Sequence, residues 1–79
     1  VDLRTAQRAF KSARNEANAI YLELQDRREA ERLAVGEYDR LTARRALLKV
    51  EEQHAKATAA VKEARRVMGN IANGIAKSA

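Results

Sequence analysis

The chain has 79 residues, 16 of them basic and 11 acidic, for a net charge of +5, with no Cys, Pro or Trp. That length allows one domain at most, and the missing Cys excludes disulfide scaffolds and thiolate metal sites. Aromatics at 4% with three Gly argue against a sandwich or barrel, and no window approaches the roughly 18 uncharged apolar residues of a membrane span.

Ala, Leu, Arg, Lys, Glu and Gln dominate what remains, and these are the strongest intrinsic helix formers. The first element is predicted over about 2–35. Its apolar positions Leu3, Ala6, Phe10, Ala13, Ala17, Ile20 and Leu24 alternate in steps of three and four, the a/d stripe by which a helix packs on a neighbouring helix. The polar run from Gln25 to Arg32 holds good helix formers and reads as exposed helix. Tyr21, Leu22 and Leu33 add apolar surface away from the stripe.

A turn is predicted over about 36–38. Val35-Gly36-Glu37-Tyr38-Asp39 contains the only Gly before position 69. Gly36 suits the left-handed residue just past a helix C-terminus. Asp39 suits the N-cap of the helix that follows.

The second element is predicted over about 39–76. Ala43, Leu47, Val50, His54, Ala57, Val61, Ala64, Met68, Ile71 and Ile75 form a second stripe of the same spacing. On one straight helix the two stripes would be about 100° out of phase. If the chain instead reverses at Glu37, they face each other: Leu3 meets Ile71, Ala6 Met68, Phe10 Ala64, Ala13 Val61, Ala17 Ala57, Ile20 His54 and Leu24 Val50. Large side chains then mostly oppose small ones, which lets the helices interdigitate. The expected pairs on the polar surface are Glu23–Arg27 and Glu52–Lys56 along the helices and Glu29–Arg45 across them. The last ten or so residues, with Gly69 and Gly74, read as a fraying terminus or a weak contact segment through Ile71 and Ile75.

The expected fold is therefore all-α: an extended antiparallel helical hairpin, a two-helix coiled coil with arms about 50 Å long. A continuous rod is the competing reading. A core this thin rarely gives more than about 3–5 kcal/mol. Association into a larger bundle is therefore expected, through the stripe Leu41, Leu48 and Ala55 or the tip Val35, Gly36 and Tyr38.

Chemistry finds little support in the residues. His54 stands in the stripe without a nucleophile and orienting group beside it, Ser12 and Ser78 being distant, so it reads as a polar seam residue that sets register. Glu51 and His54 have the Glu-x-x-His spacing of di-metal bundles, but the further inward carboxylates such a site requires are missing. There is no glycine-rich phosphate loop. The chain is thus expected to be no enzyme, to stay in solution, and to hold no metal, cofactor or small-molecule substrate.

Its partner is expected to be protein, either a second copy or a larger assembly in which it serves as a rigid spacer or docking element. The alternative is a basic helical module that grips RNA or DNA by its phosphates. Arg4, Arg8, Lys11, Lys62, Arg65 and Arg66 would cluster toward the open end of the hairpin for that purpose. No motif in the chain is specific to a family, and helical hairpins serve unrelated functions.

Overall fold

Asp2 starts the first helix. Its carboxylate accepts the Thr5 backbone N–H at 2.8 Å, satisfying one of the N–H groups that every helix start leaves unpaired, and its carbonyl accepts the Ala6 N–H at 3.1 Å as the first intrahelical bond. Helix α1 then runs Leu3–Leu33. In this computed structural model, which describes residues 2–78 and only the backbone of 76–78, helix α2 runs Glu37–Ser78. The two pack along their length as an antiparallel hairpin.

The reversal has the length the sequence suggests but lies two residues earlier, over 34–36. Ala34 leaves α1 in an extended conformation, its N–H turned back to the Glu31 carbonyl at 3.3 Å. Gly36 does take the left-handed region, with φ of +90°. It stands, however, at the start of α2 and not directly after α1: its carbonyl accepts the Arg40 N–H at 3.1 Å. Asp39 is consequently not the N-cap but lies inside the first turn of α2, together with Glu37. There both carboxylates meet the positive end of the helix dipole, which holds the start of α2 without a side-chain cap. Thr42 donates its hydroxyl to the Tyr38 carbonyl at 3.0 Å.

The C-terminal glycines do not end α2. Gly69 and Gly74 lie within it, and the helical backbone continues through both. At about 1.5 Å per residue, the 42 residues of α2 account for the 64 Å length of the molecule, which is only 15 × 13 Å across. Because α2 has 42 residues and α1 has 31, the last residues of α2 project past the start of α1.

Cross-helix contacts fall on the register centred on Glu37 or within one helical turn of it. Leu24 packs with Leu47 and Val50, and Ile20 packs against this group. Glu31 reaches Arg44, Tyr21 lies against His54 and Arg65 stands over Phe10. Leu24, Leu47, Val50, Ala6 and Ala57 are the buried side chains among the described residues. Fully burying a Leu or Val contributes about 1.5–3 kcal/mol; an Ala contributes little. The core is concentrated where Leu24 meets Leu47 and Val50, toward the tip, and thins to alanines in the middle of the seam.

Candidate interaction surfaces

The seam positions Leu3, Phe10, Ala13, Ala17 and Ile20 on α1, and His54, Val61, Ala64, Met68 and Ile71 on α2, are half-buried. Together with the buried residues they are the less exposed positions of the two stripes. Ala43 is half-buried as well, whereas Ile75, past the end of α1, is exposed. His54 finds Tyr21, with ring centroids 6.0 Å apart and the planes tilted by 45°, so the polar residue in the seam is shielded by an aromatic from the facing helix. Ser12 and Glu51 are exposed. No group of three or more His, Asp and Glu side chains gathers among the described residues, and no described helix is long and apolar enough to cross a membrane.

The surface residues fall into three sets. The tip carries Val35 and Tyr38, each 80% exposed, with Gly36 between them. The stripe on α2 carries Leu41 and Leu48, each 49% exposed, and exposed Ala55. These lie at the b positions of the α2 heptads, about 130° from the centre of the seam, so no packing within a two-helix molecule covers them. Leu22 and Leu33 are exposed on α1.

The basic set divides. Arg66 is engaged by Glu63, which accepts two hydrogen bonds from its guanidinium. This contact holds the Glu63 carboxyl below, and the Arg66 guanidinium above, its ordinary value. Arg4, Arg8, Lys11, Lys62 and Arg65 are exposed and have no carboxylate partner among the ion pairs of the described residues. Arg14, which the sequence pattern did not single out, joins them. Its guanidinium carbon lies 5.8 Å from the Phe10 ring centre, and that of Arg65 lies 5.6 Å from the same ring. The signal was present in the sequence: Arg14 stands four residues after Phe10, one helical turn along.

The expected polar pairs are partly redrawn. Glu52–Lys56 forms at 3.4 Å. Glu23–Arg27 is not among the ion pairs of the described residues. Glu29 does not reach Arg45; it takes Arg32 on its own helix, whose hydrogen bonds hold the Glu29 carboxyl below its usual range. The bridge between the helices is Glu31–Arg44 at 3.2 Å. Glu31 continues the a/d stripe of α1 and is half-buried, so it is directed toward α2, whereas Arg45 lies on the outer side of α2.

Two open grooves flank the seam where alanines replace larger side chains. One, of about 460 Å3, includes Glu16, Gln53, Lys56 and Ala60. The other, of about 370 Å3, includes Arg14, Asn18, Tyr21, His54 and Thr58. They mark the two broad sides of the ribbon: g and c heptad positions on the first, e and b positions on the second. In comparisons with known proteins, the chain matches no family model, and no curated protein or solved structure gives a significant match.

Proposed function

We propose that the chain is a non-enzymatic coiled-coil module that acts as a rigid spacer or docking element within a protein assembly. One observation carries this reading: the large apolar side chains left outside (Leu22, Leu33, Val35, Tyr38, Leu41 and Leu48) outnumber those buried within. An isolated two-helix core this small is marginal, and Leu41 and Leu48, one heptad apart on one face of α2, leave an apolar strip for another protein to cover. Knobs-into-holes packing along the seam gives the stiffness. The α2 stripe and the tip supply the contact, and two hairpins joined along the stripe would make a four-helix bundle.

Sedimentation equilibrium tests the reading. The expected result is a mass that rises with concentration above that of a single chain. The double substitution Leu41→Ser and Leu48→Ser should return the mass to one chain. A single chain that stays fully helical and monomeric at every concentration would overturn it.

A further inference from the structure

The open half of the hairpin has a second feature that the docking stripe does not explain: its charges are sorted by side. With Leu3 and Phe10 at a and Ala6 and Ala13 at d, Arg4 and Lys11 occupy b positions and Arg14 an e position. On α2, with Val61 at a and Ala64 at d, Lys62 is at b and Arg65 at e. In an antiparallel pair the e and b positions of both helices share one side, as the groove holding Arg14, Asn18, Tyr21 and Thr58 shows. From Leu3 to Ile20 and from His54 to Ile71, no acidic residue occupies an e or b position. The acids of this half, Glu16 and Glu63, lie at g and c on the other side.

The structure concentrates these cations further. Arg14 and Arg65 come from different helices to stand over one ring, that of Phe10, within the roughly 6 Å at which a ring face attracts a cation. Lys11 and Lys62 each stand three residues before one of these arginines, on the same face of its helix. Like charges at that spacing repel, and no carboxylate offsets them among the described residues. Folding therefore gathers four uncompensated cations around Phe10 at an electrostatic cost that an anionic ligand would remove. Holding the two guanidiniums on the ring also reduces the side-chain freedom lost when they bind, and the guanidinium fork matches phosphate oxygens.

We infer that this side is a phosphate-binding face for double-stranded nucleic acid, with Lys11, Arg14, Lys62 and Arg65 around Phe10 as its centre and Arg4 at its edge. A duplex fits better than a single strand, because Phe10 is occupied by the arginines and the other aromatic rings on this side, Tyr21 and His54, are packed on each other. A second copy joined through the same half would set cation against cation. The face reads backbone and not sequence, since base edges are specified by other contacts.

The test is binding of the full chain to a fluorescent DNA duplex of about 20 base pairs, and to the RNA duplex of the same sequence. Four phosphate contacts predict that affinity falls about 100-fold between roughly 50 and 200 mM salt. Combining Arg14→Gln with Arg65→Gln should cut that fall to about 10-fold, and combining Arg14→Lys with Arg65→Lys should restore most of it. Combining Lys49→Gln with Lys56→Gln, which removes the same charge from the opposite side, should leave affinity within about twofold, with circular dichroism confirming equal helix content in all forms. Binding of either duplex with this pattern supports the face and identifies the backbone it prefers. The inference is overturned by no binding at the lowest salt, by equal losses from the two Gln pairs, or by binding to polyglutamate in preference to a duplex.

Discussion

At the scale of single residues, glycine separates two jobs that composition alone cannot distinguish. Gly36 has a φ of +90° and no heavy atom within 4 Å of where a Cβ would stand, and Gly69 has equally open space but helical backbone. The space is the same and the backbone differs, so Ala should act in opposite directions. Gly36→Ala should cost about 1–2 kcal/mol from the left-handed strain. Gly69→Ala should add about 1 kcal/mol of helix propensity. Thermal melts of the two variants check the sign.

The exposed carboxylates make a second prediction at this scale. Asp2 is held below its ordinary value chiefly by the Thr5 backbone N–H, Glu29 by Arg32 and Glu63 by Arg66. A carboxyl depressed in the folded state stabilises it at pH above the unfolded value, and that contribution disappears as pH falls through the folded value. Helix content should therefore be flat through neutral pH and fall only in acid below the usual carboxylate range. The fall should shrink at high salt, because all three groups face water. Asp2→Asn, which keeps a capping oxygen without the charge, should lose part of that acid dependence, read as melting temperature against pH.

At the scale of the helices, one residue's rotation decides whether a leucine matters to the fold. Leu24 is 3% exposed and Leu22 is 66% exposed, although they are two residues apart on the same helix. Leu24→Ala should cost about 2–5 kcal/mol, enough to abolish the cooperative melt of so small a core. Leu22→Ala should change it by no more than about 0.5 kcal/mol. His54 bears on register instead. It is the one polar interruption in the α2 stripe, and Tyr21 packs on it from α1. His54→Leu should leave the helices intact but broaden the distance distribution between spin labels at Ala13 and Val61, because the polar residue that penalises a shifted pairing is gone.

At the scale of the whole molecule, shape is the quantity most open to measurement. A single hairpin has a Cα radius of gyration of 18.0 Å and a length of 64 Å. A continuous helix of 79 residues would extend to about 120 Å. Small-angle scattering at low concentration should give the former, and labels at Phe10 and Ala64 should lie close together. The two broad sides of this ribbon have different characters: one carries the basic cluster and, nearer the tip, the Leu41 and Leu48 stripe; the other mixes Glu16 and Glu63 with Lys49, Lys56 and small side chains. The proposed protein contact and the proposed polyanion contact would thus occupy different lengths of one side.

Much of this was determined by the order of the residues alone. The two stripes in steps of three and four, the good helix formers between them and the single mid-chain glycine specify two helices and their facing sides, because helical periodicity is a local property. The burial of Leu24, Leu47 and Val50 follows from it. What the sequence left open depends on side chains from different helices meeting. Asp39 and Gly36 are both plausible caps in isolation, and only the backbone path at the reversal assigned the start of α2 to Gly36. Glu29 and Glu31 both come close to Arg44 and Arg45 when the chain reverses at Glu37, and only the rotation of each helix chose Glu31–Arg44. Arg14 and Arg65 are separated by most of the chain, and tertiary packing alone set both on Phe10, because that contact is fixed by register and rotation together and leaves no local trace.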